Sequence, residues 1–444
     1  MLRPIASYSL AIVLLWTIMG CESNNSNHNS PESSQTLAPT ATNVPLRLWI
    51  VGQVSDPTLV ERAWLTGSDQ RLEIRTLSVD EYLSEKACNC DVTLFPSRLL
   101  GEMIDRQWLR KLPTKLIAPN ASAPQVPAAW ARQATYGSDV WAVSLGASIP
   151  VVISSASAFE STQALEDWDL LLKSLAIESP TPPTPKIDFA VVNRAALVDR
   201  FFTIAGGLTK RSPTYGLLFE LQNMKPRLTD PEFIRAAEIM RILSRQSSDP
   251  ASAMQSVTGD ASQAWSWINA QTKPAIAIVS PSLLTTATAK ATGSKPIRIP
   301  AKCIGWNTGS GMIAALSASC RQSARATELL NWLQQSETRH TLSPLIQGIE
   351  SASPTAGNDS SAWRASTFAT ELAANANLPN ELRLPRAEEY RSALADGLIA
   401  ILSDDKPIAD TLAEAAAAWQ AITEARGRVL QRVDYEQSLG LTRD

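Results

Sequence analysis

The chain has 444 residues and a net charge of −3; that length exceeds one ordinary core and predicts two lobes or domains. The slightly acidic balance leaves no electrostatic footprint for nucleic acid. With only His28 and His340, a His-rich zinc site cannot be built and a Ser-His-Asp triad would have to use His340. No G-x-S-x-G, H-E-x-x-H or P-loop motif occurs, so neither a metal nor a cofactor is expected. Chemistry based on carboxylates alone stays open, because Asp and Glu are plentiful.

The chain begins MLRPIASYSLAIVLLWTIMGCESNNSN. Arg3 precedes an apolar run, Ile5 to Ile18, that is short for a spanning helix, which needs roughly 20 residues. Cys21 follows Gly20 at once, and the stretch resembles the lipobox of bacterial lipoproteins. The resemblance implies a signal peptide over 1–20 and a lipid on Cys21; the alternative is an uncleaved anchor. Residues 21–45 are polar and nearly devoid of large apolar side chains, so they read as a tether.

Leu46, Leu48 and Ile50 alternate along VPLRLWIVG and predict a strand that ends at Gly52-Gln53. Asp56-Pro57 opens a helix. LEIRTLSV and DVTLFPS are further strands, and Ser97 sits where a helix cap belongs. Strands alternating with helices predict a parallel α/β sheet, whose ligands lie beyond the carboxyl ends of strands. Gln53, Ser97 and Arg98 are therefore candidates on position. KPAIAIVSPS is a strand that delivers Ser280 and Ser282 to a loop. Residues 178–186 form a proline-rich loop, residues 324–335 an amphipathic helix, and roughly 407–433 one long helix with a core stripe through Leu412, Ala415 and Trp419. Glu388 and Glu389 read as a solvated helix start. Thirteen tryptophans against eight phenylalanines suit stacking on sugar faces, and Trp306 is the candidate among them that stands off a helix stripe. Cys88 and Cys90 flank one residue, where a bridge would be strained. Cys303–Cys320 is the pair expected if a disulfide forms, at about 3 kcal/mol for such a loop, and the alternative is four small buried thiols.

Taken together, LRLWIVG, DVTLFPSRLLGEMIDRQWLRKL, PAIAIVSPS, GWNTGSGMIAALSASCRQSARATELLNWLQ and LPRAEEYRSALADGLIAILSDDKPIADTLAEAAAAWQAIT resemble family 1 extracellular solute-binding proteins of the maltose-binding type, over most of residues 46–440. The resemblance implies an α/β, two-lobed, hinged periplasmic-binding-protein-like fold (type II) with a helical carboxy-terminal segment. Lobe 1 would hold 46–147 and 299–340, lobe 2 150–296 and 341–440. It implies an extracytoplasmic, lipid-anchored monomer in the periplasm or on the cell surface. Such a protein passes a sugar-like solute to an ABC permease and performs no chemistry. Arg386 and Tyr390 match the family's carboxy-terminal cleft segment and join the ligand set. The stretch VVISSASAFES lacks the family's usual Tyr or Asn and charged residue, so a sugar contact from that strand is not expected. Two alternatives accompany this reading: a surface glycoside hydrolase using two carboxylates, and a sensory or structural lipoprotein on the same fold.

Overall fold

The computed structural model describes residues 44–113, 127–155, 168–174, 193–209, 216–245, 260–271, 275–283, 295–296, 306–350, 361–375, 378–403 and 406–441. Cys21, the tether, the proline-rich loop and Cys303 lie outside the described residues.

Ten strands are described: β1 (Leu46–Val51), β2 (Leu72–Leu77), β3 (Val92–Pro96), β4 (Thr135–Tyr136), β5 (Asp139–Val140), β6 (Ala142–Ser144), β7 (Val151–Ser154), β8 (Ile276–Val279), β9 (Lys295–Pro296) and β10 (Met312–Leu316). The first sheet has the order β2-β1-β3-β10-β6. The alternation of side chains along a strand gives each face its own core. Leu46, Leu48 and Ile50 point to the face covered by Val60, Trp64, Leu329 and Leu333. Trp49 and Val51 point to the other, with Tyr82, Leu100 and Met103. Burial on both faces explains the nearly unbroken apolar character of β1 and β3.

The sheet is mixed, which corrects the expectation of a parallel one. β1 pairs parallel with β2 and β3, but β10 runs antiparallel to both β3 and β6. The cause is the route of the chain. The chain reaches β10 from the Trp306–Gly311 stretch and enters at the carboxyl end of β3, Met312 opposite Pro96. A second, antiparallel sheet has the order β8-β7-β9. Val152, Ile276 and Ile278 meet the core of Phe201, Phe202 and Phe233. Val151, Ile153, Ala277 and Val279 meet Trp265 and Ile268. β6 and β7 belong to different sheets, so the chain passes between them over 145–150.

Local signals place several helix starts. Asp56 accepts from the Thr58 amide at 2.8 Å and opens Pro57–Leu65. Ser78 with Glu81, and Asp260 with Gln263, are reciprocal capping boxes. Ser97 is not a cap: its hydroxyl donates to Gln133 Oε1 at 3.3 Å, and the α-helix begins later, at Leu100–Asp105. The expected long terminal helix is two helices, Ile408–Arg426 and Arg428–Ser438, broken at Gly427. Gly427 has φ 99°, where a side chain is strained, and its amide bonds back to Thr423 and Glu424. Cys88, Cys90 and Cys320 are buried free thiols, with the Cys88 and Cys90 sulfurs 3.3 Å apart. Cys303, the partner expected for Cys320, lies outside the described residues.

Candidate functional site

The carboxyl end of β3 runs into a short 3-10 turn, Ser97–Leu99. Its backbone is fixed by β10's approach: the Ser97 amide donates to Gly311 O at 2.9 Å and the Arg98 amide to Gly309 O at 3.0 Å. Gly309 has φ 66°, and a Cβ there would stand 2.8 Å from Arg98 Cβ and 3.1 Å from Glu381 Cβ. A side chain at 309 would push the segments apart, so glycine permits the close seating of Arg98.

Arg98 is thus turned inward, where it meets charged residues from three distant segments. Its Nε donates to Glu388 Oε1 at 2.5 Å and its Nη1 to Ser310 Oγ at 3.3 Å. The Ser310 hydroxyl donates to Asp199 Oδ2 at 3.2 Å. Asp199 Oδ1 accepts from Arg391 Nη2 at 2.8 Å, and Arg391 Nη1 lies 2.8 Å from Glu381 Oε2. That last approach lacks hydrogen-bond alignment, and neither atom has a hydrogen bond. Helix Arg194–Leu208 supplies Asp199, helix Ala387–Ser403 supplies Glu388 and Arg391, and the chain before that helix supplies Glu381. Behind Ser97 stands Gln133, fully buried, which accepts from Ser97 and Asn307 and donates to Ser144 and Gly146.

Three carboxylates and two guanidiniums share this network, and their environments divide the protons. Burial pushes Glu381 up to about 8, because the loss of solvent outweighs the help of Arg391. Burial also opposes the charge of Glu388, but Arg98 and Arg391 outweigh it and the net shift is downward. Burial opposes the Arg391 charge too, yet Glu381, Asp199 and Glu388 hold it firmly protonated. At neutral pH Glu381 therefore carries a proton while Glu388 is held ionised. A second buried acid, Glu350, accepts from the Ala147 amide at 3.3 Å in the passage between β6 and β7, and burial pushes it up to about 7.

A pH dependence follows. Both acids have folded pKa values above the usual 4.5. The folded state thus binds the extra protons, and their contribution to stability is full below pH 4.5 and lost as pH rises through about 7 and 8. Melting points measured from pH 5 to pH 9 should fall across that window, and Glu381→Gln should flatten the upper part. A level profile in the wild type would contradict the assignment.

The other sequence candidates lie elsewhere. Trp306, expected at a ligand, is fully buried and stacks on Phe202 at 5.1 Å. Tyr390, expected beside it, is also core: its ring meets Phe219 and Trp419, and its hydroxyl meets Thr423 Oγ1 at 2.8 Å. The helix register explains this. Ala387, Tyr390, Leu394 and Leu398 share the buried stripe, while Glu388 and Arg391 share the adjoining face. Arg386, at φ 66°, holds Glu389 rather than the network. The Gln53 side chain is exposed, and its carbonyl accepts from the Gln347 amide. Ser280 and Ser282 follow β8 in the second sheet, Ser280 buried and Ser282 Oγ buried without a partner. Of the sequence candidates, the structure joins Ser97 and Arg98 to the network; Asp199, Ser310, Glu381, Glu388 and Arg391 were not foreseen. The signal for Glu388 and Arg391 was their spacing of three, which puts opposite charges on one helix face.

No protein-family model and no curated protein matches the sequence. Solved structures do match the fold. The sugar-binding protein MalE of Xanthomonas citri superposes with a TM-score of 0.63 at 11% identity, covering 87% of this chain and 99% of that one. Maltose-bound MalE3 of T. maritima gives 0.59 at 14%, covering 85% and 99%. A solute-binding protein of an ABC transporter from Agrobacterium vitis, with bound D-mannitol, gives 0.56 at 14%, covering 86% and 99%. Among the described residues no helix is long and apolar enough to cross a membrane. With a mixed sheet before the 145–150 passage, an antiparallel sheet after it, helices packed on both, and near-complete coverage of these structures, the chain has the two-lobed periplasmic-binding-protein fold of the maltose-binding type.

Proposed function

We propose that this protein is the extracytoplasmic solute receptor of an ABC-type importer, held to the membrane by lipid on Cys21 and binding a sugar or related polyol between two lobes. The lobes are 46–147 with 299–340 and 150–296 with 341–440. The observation that carries the reading is Arg98. It stands at the carboxyl end of a sheet strand and reaches Glu388 on a helix of the carboxy-terminal segment. Ligands of open α/β sheets are taken at such strand ends. Arg98 offers a rigid fork of donors to a hydroxyl or carboxylate. A polyol entering here takes over hydrogen bonds that Arg98 and Ser310 now make with the protein's own carboxylates. The residues bind rather than catalyse, since Asp199 and Glu388 are committed to guanidinium partners.

The test is calorimetric titration with maltose and with D-mannitol. Arg98→Ala should weaken whichever binds by about ten- to a hundred-fold, the equivalent of about 1.5–3 kcal/mol for one charged hydrogen bond. Wild-type affinity in that variant would move the site away from Arg98. The anchor has its own test. Cys21→Ala should abolish metabolic lipid labelling and release the protein from membranes, and unchanged membrane fractionation would refute the lipid.

A further inference from the structure

A partly open polar cavity adjoins the Arg98 network through Glu381. It has a volume of about 70 Å³ and lies where Arg132, Trp306, Glu381, Arg383, Tyr435 and Ser438 converge. That is room for several waters or one small oxyanion. Its charged lining is Arg132, Arg383 and Glu381. The Glu381 carboxylate is turned to Arg391, 2.8 Å away, and neither it nor any other carboxylate forms an ion pair with Arg132 or Arg383 among the described residues.

The two arginines are instead held by carbonyls. Arg383 Nη1 donates to Arg132 O and Thr135 O, each at 2.7 Å, and its Nη2 to Ser438 O. Arg132 Nη2 donates to Leu378 O. Carbonyls satisfy donors without neutralising a charge. Arg383 is 3 % exposed, and a buried cation without a counter-charge is costly. Burial, with Arg132 beside it, pulls Arg383 down to about 10. Three buried donors of lining residues also lack acceptors among the described residues: Arg132 Nε, Arg383 Nε and Trp306 Nε1. Both Glu381 oxygens are also without a hydrogen bond among the described residues, but burial holds that carboxyl neutral near pH 7, so the net charge of the lining is positive.

We propose that this cavity binds a small oxyanion, a tetrahedral inorganic anion or the carboxylate of a small metabolite, between Arg132 and Arg383. The anion supplies the missing counter-charge and ties helix Ala128–Gln133 and the segment before helix Ala387–Ser403 to the end of helix Arg428–Ser438. The site is independent of the solute-receptor reading, because it uses neither Arg98 nor Ser310.

Titration calorimetry of the full-length protein in chloride-free buffer tests it, with sodium sulfate and sodium acetate as separate probes. We expect saturable binding of at least one probe and a melting point that rises with its concentration. Sulfate alone indicates a tetrahedral anion, and acetate indicates a carboxylate. Arg383→Gln should abolish the heat, but it also loses three carbonyl bonds and folding could suffer. Arg132→Gln, which gives up a single carbonyl contact, is the cleaner variant and should weaken binding at least ten-fold with its melting point in probe-free buffer close to wild type. Absence of saturable binding for both probes in folded wild type, or equal binding by Arg132→Gln, would overturn the proposal.

Discussion

Trp419→Ala should destabilise the protein by about 3–5 kcal/mol, the range for truncating a large aromatic in a close-packed core. Trp419 is fully buried. Its ring stacks on Phe219 at 5.2 Å and meets the edge of Tyr390 at 5.5 Å, and its indole N–H donates to Tyr390 O at 2.7 Å. Alanine would leave a cavity at the junction of helices Ile408–Arg426 and Ala387–Ser403, and would remove the indole's bond to a carbonyl of the helix that carries Glu388 and Arg391. Partial collapse decides where in the range the cost falls. The internal control is Trp332→Ala. Trp332 meets Trp64 edge-on at 5.2 Å but is only partly buried, so its removal should cost less. Urea unfolding of the two variants ranks them; equal losses would mean that the carboxy-terminal helices do not share the core described.

Periodicity made Trp419 legible, because one side of a helix repeats its apolar residues wherever the helix packs. β1, β3 and β8 were legible for a related reason: a short apolar run bounded by polar residues has few other solutions. The direction of β10 was not, since the run GMIAALSAS reads the same in either orientation and only the route from Trp306 fixes it. Gly427 carried a signal that the reading passed over. A glycine beside Arg426 in a long helical pattern marks a stop as well as a packing site.

The site divides in the same way. Ser97 and Arg98 stood out because a strand ends there, a local fact. Glu388 and Arg391 sit in the first turns of a helix, where charged residues are ordinarily solvated, and nothing within their own segment says otherwise. Their burial is created by Arg98, 290 positions away in sequence, and by Asp199. The aromatic count misled in the opposite direction. Trp306 looked free because it lay off the recognised stripes, and Tyr390 entered through the resemblance, yet each fills a core position against rings from remote segments.

Arg391→Met tests how much the network depends on one cation. Arg391 is the point where Asp199 and Glu381 meet, with side chains 8 % and 0 % exposed. Methionine has similar length and suits the surrounding apolar packing, so shape is largely kept while the charge is lost. The loss should be about 3–5 kcal/mol near pH 7, because removing one partner leaves buried carboxylates uncompensated. The sign of the pH effect is fixed by what remains. Without Arg391, Glu381 loses the neighbour that favours its ionised form, so its pKa rises above the present value of about 8. The variant's deficit should then grow from pH 7 toward pH 9, where wild-type Glu381 can ionise beside Arg391 and the variant's cannot. Adding Asp199→Asn and Glu381→Gln to Arg391→Met should recover a substantial part of the loss, since no buried charge is then left unpaired. Solute binding by that neutral triple variant is the sharper readout. Arg98 would keep Glu388 and Ser310 while the pairs of Arg391 with Asp199 and Glu381 are gone. An affinity for polyol equal to or tighter than wild type would identify the Arg391 pairs as competitors of the ligand. An affinity lost together with the ion pairs would make Arg391 part of the binding surface itself.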